Sequence, residues 1–153
     1  MTPSLFLIPN ILSEDNTTGY LDDQLREKIG SLRVFVVENE KNARRLLKKI
    51  APAIKQDELD IRILDKNNSN ISREIISSAF SKKTDVGLIT DAGTPCVADP
   101  GSLAVEMAHK EGLRVIPLVG PNSIILALMA SCFNGKSFAF HGYLPVDDKE
   151  RIK

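Results

Sequence analysis

At 153 residues, 42% of them hydrophobic and 26% charged, the chain has the length and composition of one globular domain. Twenty basic and twenty acidic side chains cancel to a net charge of zero, which removes the polycationic character of a non-specific nucleic-acid binder. The start, MTPSLFLIPN, lacks the basic flank of a signal peptide, and the longest strongly apolar run, Ile124–Ala130, is too short to span a bilayer, so a cytoplasmic protein with no membrane partner is expected.

Short apolar runs alternate with helical periodicity along the chain. Ser4–Ile8, Arg33–Val37, Leu59–Leu64, Val86–Thr90, Leu113–Val119 and Phe138–Phe140 read as strands, with too little polar alternation for a solvent-facing sheet. Between them, Leu21, Leu25 and Ile29 share one helical face, as do Ala43, Leu46, Leu47 and Ile50, and then Ile71, Ile75, Ile76 and Ala79. Gly101–Glu111 predicts a fourth helix, with Asp99 as cap, Pro100 at the first position and Gly112 as stop. Asn122–Cys132 predicts a fifth, apolar almost all round and expected to be deeply buried. Asp65–Asn70 and Asp147–Lys153 read as loose. The alternation implies an α/β fold with a parallel sheet carrying helices on both faces.

In such sheets ligands bind beyond the carboxyl ends of the strands. No GxG, GxxxxGK[ST] or GxSxG occurs, which removes the dinucleotide fingerprint, the P-loop and the hydrolase elbow. Cys96 and Cys132 form no CxxC and the chain has two histidines, so no metal site is expected. The informative loop is LITDAGTPCVADPG, Leu88–Gly101. Asp91 followed by Ala-Gly-Thr-Pro places a carboxylate and small residues at a strand end, where a ligand can approach the backbone. The second loop, VGPNS at Val119–Ser123, is either an ordinary strand-to-helix turn or an anion cradle of free N–H groups and the Ser123 hydroxyl. A basic stripe of Lys41, Arg44, Arg45, Lys48 and Lys49 reads either as a solvated helix face or as a phosphate contact.

LITDAGTPCVADPG, then RVIPLVGPNSIILALMAS, then FAFHGYLP, in that order and spacing, resemble the tetrapyrrole methylase superfamily. Within it they are most similar to the branch that methylates a ribose 2′-oxygen of small-subunit ribosomal RNA, which reads roughly SDAGTPxxSDPG, PxPGPSAxxxALxxSG and FxFxGFLP. The resemblance is dense from Val86 to Pro145. Two loops depart from it: IPNILSED at Ile8–Asp15 keeps Pro9 but lacks the glycine of ATPIGNLED, and Glu38-Asn39-Glu40-Lys41 stands in place of an EDTR-like sequence.

The resemblance implies a methyltransferase that uses S-adenosylmethionine, built of two α/β domains with the cofactor between them and commonly homodimeric. It places Pro9, Asp91, Ala92, Gly93, Gly120, Pro121 and Ser123 along the cofactor cleft, and leaves the catalytic base unassigned. It implies that residues 1–145 are the N-terminal methylase domain, that 146–153 begin a linker to a further domain, and that this portion by itself is inactive. The implied substrate is RNA. The alternative is a diverged, non-catalytic module of the same fold that binds cofactor or dimerises.

Overall fold

A computed structural model describes residues 2–13, 19–64, 69–98, 100–143, 145 and 147. The chain divides into two compact units, Met1–Asn122 and Ser123–Lys153. The first holds five strands, β1 (Ser4–Ile8), β2 (Val34–Val37), β3 (Asp60–Ile63), β4 (Val86–Ile89) and β5 (Arg114–Pro117). Among the described residues it also holds four α-helices, α1 (Asp23–Ser31), α2 (Glu40–Ile50), α3 (Ser69–Ser81) and α4 (Ser102–Lys110), and a 3-10 turn at Gln56–Glu58. The sheet is parallel in every pairing and runs β3-β2-β4-β1-β5.

Alternate residues of the central strands feed two separate cores, as a sheet buried on both faces requires. Phe6, Ile8, Phe35, Val37 and Ile89 pack with Ile29 of α1 and Ala43, Leu46, Leu47 and Ile50 of α2. Leu5, Val36, Val86 and Leu88 pack on the other face with Ile76 of α3 and Ala104, Met107 and Ala108 of α4. Gly87, in the middle of β4, makes room for this. A Cβ there would lie 2.7 Å from Phe35 Cδ1 and 2.9 Å from Ile8 Cδ1, so both large side chains close over the strand through the gap.

Helix ends follow their caps. Asp22 accepts from the Leu25 N–H at 2.8 Å and Asn39 from the Asn42 N–H at 3.1 Å. Lys28 of α1 crosses to Asp85 at 2.6 Å while lying 4.8 Å above the Phe6 ring. The other oxygen of Asp85 accepts from the Ser4 N–H at 2.8 Å, fixing the start of β1.

Several expectations need correction. Phe138–Phe140 is not a strand; those residues are exposed and irregular. The edge strands β3 and β5 are largely open to solvent rather than buried on both faces. The fourth helix begins at Ser102, with Gly101 rather than Asp99 in the capping position. Gly101 takes φ +128°, and a Cβ there would meet Leu88 at 2.8 Å, so glycine fixes the entry and Pro100 remains outside the helix. Asp99 itself lies outside the described residues, as do 65–68 of the expected loose segment; Ser69 and Asn70 already belong to α3.

The second unit carries α5 (Ser123–Ala130). No residue of α5 is buried, and Ile125, Leu126 and Met129 are exposed. An all-round apolar helix was expected to lie deep, but among the described residues of this unit no second helix or strand packs over it. Ser131 turns the chain by donating to the Leu128 carbonyl and accepting from the Phe133 N–H. Most of the expected loose end, Asp147–Lys153, lies outside the described residues.

Candidate functional site

With α1 and α2 on one face and α3 and α4 on the other, the loops after β1 and β2 leave toward the face opposite that taken after β4, which lies between them. That divergence is the topological switch point at the carboxyl edge of the sheet, the usual ligand position in open α/β folds. The described residues of the loop after β4 are irregular. Among those between Thr90 and Gly101, four take left-handed backbone angles: Gly93 at φ +68°, Cys96 at +68°, Ala98 at +60° and Gly101 at +128°. Two of the four are not glycine, which costs about 1 kcal/mol each and is the kind of strain that gathers at binding sites.

The structure ties this loop to its neighbours. Gly93 forms an isolated antiparallel bridge with Asn10: the Asn10 N–H donates to the Gly93 carbonyl at 2.8 Å and the Gly93 N–H returns a bond to the Asn10 carbonyl at 3.1 Å. The Asn10 side chain, with the residue only 4% exposed, donates to the carbonyls of Thr90 at 2.9 Å and Asp91 at 3.1 Å, and accepts from the Ile11 N–H at 2.8 Å. From β2, Glu38 accepts the Asp91 N–H at 3.2 Å. From α2, the Asn42 amide donates to the Asp91 carboxylate at 2.9 Å. Thr90, 1% exposed, keeps a buried hydroxyl without a hydrogen-bond partner.

The loop after β5 joins the same cluster. Asn122 donates to the Thr94 hydroxyl at 2.6 Å. A Cβ on Gly93 would lie 3.5 Å from the Pro121 carbonyl oxygen and 3.3 Å from Leu12 Cδ2. A Cβ on Gly120 would lie 2.1 Å from Pro9 Cγ and 2.4 Å from Pro9 Cβ. The space that Gly120 leaves is therefore taken by the Pro9 ring. Tyr20 closes this corner, donating its hydroxyl to the Pro9 carbonyl at 3.0 Å with its ring edge against Gly120. Burial pushes the Tyr20 phenol above its ordinary value, and the nearby Arg26 charge works against that rise.

Of the residues expected at a cleft, Pro9, Gly93, Gly120 and Pro121 thus come together. Asp91 and Ala92 lie exposed on the rim of the same loop, and Ser123 opens α5 in the second unit. Asn10, Glu38 and Asn42 also bond this loop but were not expected at the cofactor cleft, although Asn10 and Glu38 lie in the two stretches noted as departing from the family pattern. The available signal was their position, each on or just after the carboxyl end of a strand or at the start of a helix following one. Asp15, in the loop after β1, lies outside the described residues. Among the described residues no cluster of three or more His, Cys, Asp or Glu is able to hold a metal ion, and no helix is long and apolar enough to cross a membrane.

The basic stripe starts beside this site, because α2 carries both Asn42 and Lys41. Arg44 is drawn out of it by Glu40 at 2.7 Å and the Gln56 carbonyl at 2.6 Å, whereas Lys41, Arg45, Lys48 and Lys49 are exposed.

No family model matches the chain. Over 149 residues it is 29% identical to the ribosomal RNA small subunit methyltransferase I of Vibrio cholerae, an alignment covering 97% of this chain and 49% of that protein. It is 39% identical over 85 residues to the protein of the same name from Halalkalibacterium halodurans, covering 56% and 29%. Among solved structures it is similar to the uroporphyrin-III-C-methyltransferase of Thermus thermophilus, with a TM-score of 0.54 over 85% of this chain and 53% of that one. At 14% identity that likeness speaks for the fold alone. The chain spans about half the length of the curated relatives it matches. The comparisons agree with the resemblance read in the sequence: over nearly its whole length the chain is similar to one ribosomal RNA small subunit methyltransferase I, and over 85 residues to another of the same name.

Proposed function

We propose that the chain is the N-terminal α/β domain, residues 1–145, of a methyltransferase that uses S-adenosylmethionine to methylate small-subunit ribosomal RNA at a ribose 2′-oxygen. Residues 146–153 then begin the linker to a second domain. The observation that carries this reading is the strained Thr90–Gly101 loop, held at the sheet's carboxyl edge by Asn10, Glu38 and Asn42, in a chain similar to methyltransferases along nearly its whole length.

The residues fit such a cofactor. The carboxylates of Asp91 and Glu38 stand together as acceptors for an ammonium or hydroxyl group, the buried Thr90 hydroxyl has a bond to give, and Ala92 adds no bulk to the rim. Pro9, Asp91, Ala92, Gly93, Gly120, Pro121 and Ser123 are the proposed cofactor-binding residues. When bound, S-adenosylmethionine supplies an activated methyl on a sulfonium, so the protein's task is alignment and exclusion of water. Asp91 does the positioning, with its backbone and carboxylate both held. The exposed cations of α2 lie beside that edge, where phosphates of an RNA acceptor would pass. A homodimer in the cytoplasm completes the proposal.

Titration of the nitrogen-labelled full gene product with S-adenosylhomocysteine tests the cofactor. The expected result is shifted amide resonances at Asp91–Gly93 and Gly120; no shift at millimolar ligand refutes the cofactor site. The full gene product, small ribosomal subunits lacking the modification and methyl-labelled cofactor test the acceptor. Label in the RNA is expected. Binding without transfer to RNA favours the non-catalytic alternative.

A further inference from the structure

The stretch from Thr90 to Ala98 belongs to no strand or helix, so no regular ladder sets its shape. It nevertheless takes left-handed angles at Gly93, Cys96 and Ala98, which persist only where surrounding bonds over-determine the backbone. The first residues of the stretch, Thr90–Gly93, are held by one residue in particular. Asn10 makes four hydrogen bonds to this loop: two from its side-chain amide to the carbonyls of Thr90 and Asp91, and a reciprocal backbone pair with Gly93. Its remaining side-chain oxygen accepts from Ile11, so the carboxamide is fully used and cannot turn over without losing all three side-chain bonds.

The position matters as much as the count. Asn10 stands just beyond β1, one neighbour of β4, and clasps the loop from that side; Glu38 and Asn42 hold the Asp91 N–H and carboxylate from the β2 side. Asn10 is itself a member of neither core cluster; its link to the core is Ile11, whose N–H it accepts.

We propose that Asn10 is the positioning residue of this site: its carboxamide holds the Thr90–Gly93 backbone in the conformation that receives the cofactor. The inference rests on the cofactor reading above. An amide is required because the two acceptors it serves are carbonyls. A carboxylate of the same size keeps the bond to Ile11 but sets oxygen against oxygen at Thr90 and Asp91.

The test compares the full gene product with its Asn10→Asp and Asn10→Ser forms by amide exchange and by titration with S-adenosylhomocysteine, both followed residue by residue. In Asn10→Asp, exchange of the Gly93 amide should accelerate about tenfold or more and ligand affinity should fall by a similar factor. Amides of β1 and β4 should keep their protection. Asn10→Ser, which retains one donor, should lie between the two in both measurements. If the native chain binds ligand and Asn10→Asp binds it equally well, the proposal is overturned and the cofactor reading stands. If exchange rises equally across the sheet, or the Asp form fails to fold, Asn10 is a general structural residue and the proposal is likewise overturned. If the native chain binds no ligand, the cofactor reading fails with its role for Asn10, while the Gly93 exchange separately reports whether Asn10 holds the loop.

Discussion

Replacing Gly120 with alanine puts one methyl group where the Pro9 ring already sits. The new carbon would start 2.1 Å from Pro9 Cγ and 2.4 Å from Pro9 Cβ. Carbon atoms in contact settle at 3.5 Å or more, so a displacement of roughly 1.4 Å is needed. A proline ring has no rotamer to escape into, and the carbonyl of Pro9 is held by Tyr20. The Tyr20 ring lies 3.3 Å from the same methyl and blocks the other side. The loops after β1 and β5 must therefore part, which places the loss at the upper end of overpacking, about 3 kcal/mol. For a chain of this size that is a fall of roughly 6–12 °C in melting temperature. Gly112→Ala is the matched control, since nothing lies within 4 Å of its added carbon and only the backbone angle, φ +70°, is penalised; it should lose about 1 kcal/mol. Urea and thermal melts of both, and of Gly120→Ala in a Pro9→Ala background, give the comparison. The proline variant should recover part of the loss. A Gly120→Ala chain as stable as Gly112→Ala, or no coupling to Pro9, would refute the reasoning.

Gly93→Val places a β-branched side chain at φ +68° and 3.3 Å from Leu12; it should lose about 2 kcal/mol in a urea melt and abolish the amide shifts induced by S-adenosylhomocysteine. Tyr20→Phe removes the bond to the Pro9 carbonyl and should cost about 1 kcal/mol at neutral pH. Because burial raises the Tyr20 phenol, native stability is fully present below its ordinary pKa of about 10 and is lost as pH climbs through the raised value. The phenylalanine form should lack that alkaline decline, and a parallel decline in both proteins would contradict it. Asp85→Ala breaks the half-exposed pair with Lys28 and frees the Ser4 N–H; a loss of about 1 kcal/mol is expected, and one that vanishes in high salt would show that the Ser4 bond contributes nothing.

The sheet was legible because its central strands are written in unbroken apolar residues, VFVV and VGLI, and because helices with one apolar face separate them. The edges were less so. DIRI alternates, yet as an edge strand it leaves Ile63 half exposed. FAF has strand composition but finds no sheet partner among the described residues, showing that apolar content without a neighbour does not make a strand. At the site, the glycines and prolines announced themselves through backbone demands that few residues meet. Asn10 and Asn42 did not, because an asparagine after a strand reads equally well as a turn residue. Their partners, the carbonyls and carboxylate at Thr90 and Asp91, lie far away in sequence and meet them only once β4 is inserted between β1 and β2.

That insertion also dictates when the protein is able to fold. β1 precedes the other four strands in the chain, but both of its neighbours come late: Leu5 pairs with Val86, and Ser4 with Arg114. β2 likewise pairs with β3 on one side and must await β4 on the other. A nascent chain ending before Val86 therefore holds an unpaired apolar strand, SLFLI, and a β2–β3 pair with an open inner edge. Nothing local rewards β1 for becoming ordered, so the sheet closes in one late, long-range step. Until then the growing polypeptide carries both vacant edges of β1 and the inner edge of β2, the features that invite association with other unfinished chains. Its exposure to misassembly is thus set by the time the ribosome takes to reach Ile89, and by whatever shields Ser4–Ile8 during that interval.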